Sequence, residues 1–154
     1  MMNKKSILWV NFLICILSIT LCFDTSSALG GERLSISVPK ANVRTCNDLS
    51  CEIAWQAEMY YPIEIIKKED AWCFFKDYEG DKGWIHISVV GPTETVITAG
   101  DGQHSVYKEP NMESEKAFIV EKGVPFKQLE KNGRWIHIQH ADGDEGWIYD
   151  SLVW

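Results

Sequence analysis

Residues 77–88 read DYEGDKGWIHIS and residues 140–151 read HADGDEGWIYDS. The second stretch is the first displaced by 63 positions without a gap. Gly80, Asp81, Gly83, Trp84, Ile85 and Ser88 meet Gly143, Asp144, Gly146, Trp147, Ile148 and Ser151, and the same offset carries Trp72 onto Trp135 and Pro62 onto Pro125. A repeat at a fixed period defines the unit of folding before any secondary structure is assigned. Here the repeated blocks run over 34–91 and 97–154 with Gly91-Pro92-Thr93-Glu94 between them, so the expected domains are 31–91 and 92–154. At about sixty residues each, such units lie near the lower limit for independent folding.

Outward from that stretch, each copy reads as β. Residues 62–88, PIEIIKKEDAWCFFKDYEGDKGWIHIS, hold three short strand patterns separated by charged or Gly-containing turns. Gly80-Asp81 and Gly143-Asp144 sit at hairpin tips, where a positive φ is needed and Gly supplies it. No stretch downstream of the first thirty residues carries a convincing 3.6-residue apolar period; Cys51 to Met59 comes closest. The pattern predicts an all-β chain of two small barrels in tandem. Alternation then assigns faces. Cys73 and Phe75 match Ile136 and Ile138, and Ile85 matches Ile148, which defines the inward side. Trp72, Phe74 and Trp84, with Trp135, His137 and Trp147, fall on the other side.

Composition narrows the function. The chain has 154 residues, 45% apolar and 24% charged, which is a globular balance. Its formal net charge of −7 argues against nucleic acid, whose phosphates require a surplus of Lys and Arg. Lys4 and Lys5, the apolar run Ile7 to Phe23, and the small residues up to Ala28 and Gly30 have the order of a secretory signal peptide, 1–30, with cleavage after Ala28 or Gly30. A retained anchor is the rival reading, since the run is at the short end of what spans a bilayer. Cleavage leaves no stable membrane insertion. Leu21 before Cys22 is unsuited to lipoprotein processing. Removing the segment takes away Lys4, Lys5 and Asp24, so the mature chain is one charge more negative, and it leaves Cys46, Cys51 and Cys73 in a compartment where disulfides persist. Cys46 and Cys51 frame a short polar loop and form the expected bridge, worth about 2 kcal/mol by chain entropy.

The ordered motifs carry a resemblance. Ala41-Asn42-Val43-Arg44-Thr45, Ile65-Ile66, Trp72 and the EGDKGWIH block, and in the second copy KGVPF, GRWIHI and DGDEGWI, resemble bacterial SH3-type domains in both halves. The resemblance implies SH3-like barrels of about five strands each and an exported module that binds cell-wall peptide or other envelope partners. It also sets Arg44 and the Cys46–Cys51 loop beside the aromatic face. The family's Gly-Pro after the NVR motif is replaced here by Cys46-Asn47, and the second copy has Ser105-Val106-Tyr107-Lys108 in place of Asn42 to Thr45, so the second copy is divergent and its recognition differs.

Three chemistries compete for these residues. A catalytic thiol would need Cys73 beside a base in a polar, partly exposed setting, but parity turns Cys73 inward, so no enzyme is expected. A metal site would need converging ligands. His137 and His140 point to opposite faces of a strand, and Asp77, Glu79 and Asp81 do not match a calcium-loop spacing, so neither metal nor cofactor is expected. The aromatic surface is the stronger signal: Trp72, Phe74 and Trp84, with Tyr60 and Tyr61 just before them and Arg44 beside them, and a thinner set of Trp135, Trp147 and Tyr149 in the second copy. Outward aromatics offer flat contact area at low entropy cost. The expected partner is a cell-wall peptide or an envelope protein. An amine-bearing ligand suits the acidic surface, and Lys67-Lys68 is a local basic spot. The alternatives are a structural subunit whose aromatic faces pack between modules, or a membrane-tethered sensor if the first segment is retained.

Overall fold

The computed structural model describes residues 31–154; the expected signal segment, 1–30, lies outside the described residues. The first repeat forms β1 (Arg33–Ile36), β2 (Lys40–Arg44), β3 (Ile53–Glu58), β4 (Pro62–Glu69), β5 (Trp72–Lys76), β6 (Lys82–His86) and β7 (Val90–Gly91). The second forms β8 (Thr95–Ile97), β9 (His104–Tyr107), β10 (Lys116–Val120), β11 (Pro125–Asn132), β12 (Trp135–Gln139) and β13 (Glu145–Tyr149). The sheet orders are β3-β2-β6-β5-β4-β1-β7 and β10-β9-β13-β12-β11-β8. The protein is therefore two tandem SH3-like β domains. Each sheet has more strands than the expected five because short segments at the module ends pair as well. β1 lies between β4 and β7, and β8 lies along β11. The segment around Val96-Ile97-Thr98 opens the second sheet rather than closing the first. Thr98 also bridges Val153, and the Ile97 and Trp154 backbones exchange hydrogen bonds.

The alternation read from sequence builds the two cores. Cys73, Phe75 and Ile85 are fully buried in the first; Ile136, Ile138 and Ile148 occupy the matching places in the second. Val43 and Val106 complete the pairing from β2 and β9. Fully burying a side chain of this size contributes about 1.5–3 kcal/mol, which is what lets units this small fold. Cys51 to Met59, the stretch nearest to a helical period, contains β3, paired antiparallel with β2 through one bulge next to Arg44. A lone helix that short would be marginal in water, whereas as the edge strand of the sheet the segment pairs the backbone groups that face β2.

Turn chemistry falls where the repeat put it: φ is 89° at Gly80 and 104° at Gly143. Gly83 and Gly146 serve a different purpose. A Cβ on Gly83 would run into Val43, and one on Gly146 would lie 2.7 Å from Val106 Cγ1. These glycines let β6 and β13 close onto β2 and β9, where the registers reduce to one pair each, Arg44 with Trp84 and Tyr107 with Trp147. Cys46 and Cys51 are disulfide-bonded across the loop between β2 and β3, with Cα atoms 5.8 Å apart. Inside that loop, Asp48 accepts hydrogen bonds from the Ser50 hydroxyl and N–H, which hold its carboxyl below the usual carboxylate range. No helix among the described residues is long and apolar enough to cross a membrane.

Candidate functional site

β5 and β6 lie side by side at the middle of the first sheet, and their outward residues form the face. Phe74 stands opposite Trp84 with ring centroids 5.1 Å apart, and Trp72 stands opposite His86, edge on face at 5.2 Å. Arg44 flanks Trp84 from β2. On the far side Lys67 stands opposite Phe74, with its ammonium 4.9 Å from the Trp84 ring centroid and 5.8 Å from that of Phe74, within cation–π range. One row across four strands thus runs Arg44, Trp84, Phe74, Lys67: two rings between two cations. Beside it a groove of about 390 Å³ is bounded by Lys40, Asn42, Arg44, Leu49, Trp72 and His86. The Arg44 guanidinium donates to the Cys51 carbonyl at 2.7 Å, so the disulfide loop braces it, while Leu49 in that loop stands 73% exposed.

The structure brings together Arg44, Trp72, Phe74 and Trp84 but not the two tyrosines. Trp72 keeps its expected side yet is only 9% exposed, packed edge-on against His86 where both line the groove. Tyr61 turns toward the core instead. It packs edge-on against Trp55 at 5.4 Å, and its hydroxyl donates to Asp77 Oδ2 at 2.8 Å. Burial, and then the Asp77 carboxylate, pushes that hydroxyl well above the usual tyrosine range. Tyr60 forms the turn before β4, with φ of 69°, and donates its N–H to the Ile36 carbonyl. Sequence reasoning passed over Lys67 as part of the face, and also His86, Asn42 and Leu49. His86 was within reach, since it shares parity with Trp84. Lys67 was not: a bulge between Ile65 and Lys67 reverses parity and brings an otherwise inward residue to the outer face.

In the second module Trp135 and Trp147 share one face, and the set is fuller than expected. Tyr107 and Tyr149 stand edge-on to Trp135 at 5.7 and 5.4 Å, and His137 stacks on Trp147 at 4.8 Å. The ring partners of Trp72, Phe74 and Trp84 belong to the first module. The modules touch through other residues. The Arg33 guanidinium lies 3.9 Å above the Trp154 ring, and Lys122 pairs with Glu79 at 3.0 Å.

The residues considered for catalysis and metal have other work. Cys73 lies in the core, where burial raises its thiol pKa and so disfavours the thiolate a nucleophile requires. The Asp77 carboxylate takes the Tyr61 hydroxyl and the N–H groups of Glu79 and Asp81, which locks the hairpin tip. His137 stacks on Trp147, whereas His140 packs against Phe126 and pairs with Asp142. Among the described residues, no three His, Cys, Asp or Glu side chains gather as a metal ion would need.

Comparison with known proteins follows the repeat. No curated protein matches the sequence. Among solved structures the chain is similar to NlpC1 from Trichomonas vaginalis, at 16% identity over 84% of this chain and 47% of that one, with a TM-score of 0.37. It is also similar to NlpC2 from Trichomonas vaginalis, at 15% identity over 80% and 47% with a TM-score of 0.36. A third is an NlpC/P60 family protein from Bacillus cereus, at 12% identity over 79% and 55% with a TM-score of 0.38. The chain spans about half the length of these proteins. Residues 37–92 and 101–154 each match the bacterial SH3 domain. With those two matches laid end to end over most of its length, the chain belongs to the bacterial SH3 domain family and carries two copies of that domain in tandem.

Proposed function

We propose that this protein is an exported, non-enzymatic binding protein that holds a peptide-containing ligand of the cell envelope, a cell-wall peptide or an envelope protein, on the aromatic face of its first module. Bacterial SH3 domains are binding modules, and the observation that carries the reading is the row Arg44, Trp84, Phe74, Lys67 beside an open groove. Rings on the outer face of a sheet give an extended chain broad contact, and the flanking cations give it a direction. The local charge refines the ligand. The chain as a whole is acidic, which by itself favours an amine. Lys40 and Arg44, however, line the groove, and Lys67 stands at the end of the aromatic row, where it holds Glu69 at 2.7 Å. A carboxylate at one end of a peptide meets these cations, while its apolar portion lies on Trp84 and Phe74. Export rests on the order of residues 1–30 and agrees with a disulfide between Cys46 and Cys51.

The test is co-sedimentation with purified peptidoglycan, and capture from envelope extract, for the natural protein and for Trp84→Ala. The variant loses capture by roughly 30-fold, the scale of a central aromatic contact, with an unchanged circular dichroism spectrum. Equal capture by a folded Trp84→Ala protein removes the site from this face. A structural role with faces packed between modules predicts tryptophans protected from quencher in the free protein and no change on adding wall fragments.

A further inference from the structure

Four rings close one end of the first core: Trp55 packs on Tyr61 at 5.4 Å and on Phe75 at 6.1 Å, and Tyr61 meets Tyr78 at 6.2 Å. Displaced by 63 residues, Trp55, Tyr61, Phe75 and Tyr78 become Phe118, Val124, Ile138 and Ala141. Three of the four rings are gone. Phe126, in place of Ile63, restores one and stacks on Phe118 at 6.2 Å. What remains is a hollow of about 280 Å³ in the second module, walled by Phe118, Val120, Val124 and Phe126 and rimmed by Ile119, which is 57% exposed. The place of Asp77, which in the first module holds the plugging tyrosine, is taken by His140, whose ring lies 5.5 Å from Phe126.

The rim is acidic. Glu121 and Asp144 line the hollow, and no Lys or Arg pairs with either among the described residues; the Glu121 carboxylate accepts a 3.3 Å bond from Gln103. His140, which also lines the hollow, pairs with Asp142 at 2.7 Å, a bond that keeps the Asp142 pKa below the usual range. Residues 92–154 carry eleven Asp and Glu against six Lys and Arg, so the field of the module reinforces the rim. A hollow sized for one side chain and fringed with unpaired carboxylates selects an apolar group with a cation next to it.

We propose that the second module holds its own binding site here, for a basic peptide that lays one aromatic or branched apolar side chain in the hollow against Phe118 and Val124 and sets a neighbouring Lys or Arg against Glu121 and Asp144. This site is separate from the aromatic face of the first module and takes the opposite charge.

The experiment is a nitrogen-15 NMR titration of the full chain with two synthetic probes, acetyl-Lys-Phe-Lys-amide and acetyl-Glu-Phe-Glu-amide. The lysine probe shifts the Val120, Val124 and His140 amides in a saturable way, and the glutamate probe does not. Val124→Tyr with Ala141→Tyr rebuilds the rings of the first module and weakens the lysine probe at least tenfold, whereas Trp84→Ala leaves it unchanged. Should the doubly filled variant fail to fold, Glu121→Gln with Asp144→Asn decides: these exposed changes remove the preference for the lysine probe and its salt dependence. Equal binding of both probes, undiminished binding by the filled or neutralised variant, or shifts confined to the first module overturns the proposal.

Discussion

The two modules differ most where they are built most alike. Across the outer face the first reads Arg44, Trp84, Phe74, Lys67, and the second reads Tyr107, Trp147, His137, Glu130, position for position. The tryptophan stays, next to the glycine that lets the sheet close. The flanks change from cations to a phenol and a carboxylate. At the corresponding end of the core, the first module carries a plug of rings and the second an open hollow. A scaffold therefore says little about what either face binds; that is decided by a few outward side chains.

The comparison can be pressed hardest in the cores. Phe75→Ala removes the ring that Trp55 leans on and costs about 3–5 kcal/mol. In differential scanning calorimetry the first module then melts well before the second, giving two transitions. A single shifted transition would show that the contacts from Arg33 to Trp154 and from Glu79 to Lys122 couple the modules into one cooperative unit.

A smaller effect separates the plug from the hollow. Tyr61→Phe deletes the hydroxyl bonded to Asp77 and destabilises the first module by about 1.5 kcal/mol at neutral pH, as for a hydrogen bond to a charged group. The pH dependence follows from the raised hydroxyl pKa. Tyr61 resists ionisation when folded, so its contribution is whole below the ordinary tyrosine value of about 10 and is lost as pH rises beyond it. Denaturant midpoints of the natural protein fall above that pH, and the fall is shallower in Tyr61→Phe. The second module, with Val124 in that place, lacks this alkaline loss, and an equal loss in both modules would refute the assignment.

The smallest change exchanges the flanks. Lys67→Glu installs the residue of the second module, Glu130, in the first. It removes a partly exposed cation–π contact worth about 0.5–1 kcal/mol and reverses one charge of the face. Capture of wall material weakens about fivefold at low salt, and the difference shrinks as salt screens it. A salt-independent defect would mean that Lys67 acts through packing and not through its charge.

Much of this was legible. The displaced blocks at 77–88 and 140–151 give the two-module plan, and period-two alternation places Cys73, Phe75, Ile85, Ile136, Ile138 and Ile148 inside, where they are found. Trp72, Phe74 and Trp84 fall on one side by the same rule. Tyr60 and Tyr61 precede β4 and so lie outside that rule; the positive φ at Tyr60 turns the chain so that Tyr61 packs against the core. Lys67 escaped because a bulge resets the alternation, and nothing in Ile65-Ile66-Lys67 announces one.

Sequence alone determined the repeat, the hairpin tips and the inward faces, because each depends on near neighbours: a glycine free to take positive φ, or side chains that alternate along one strand. Tertiary structure decided which outward residues share a surface, which ring plugs the first core, and that the second is left with a hollow. Those outcomes depend on strands far apart in the chain meeting in one register, and on the summed volume of side chains that only folding brings together.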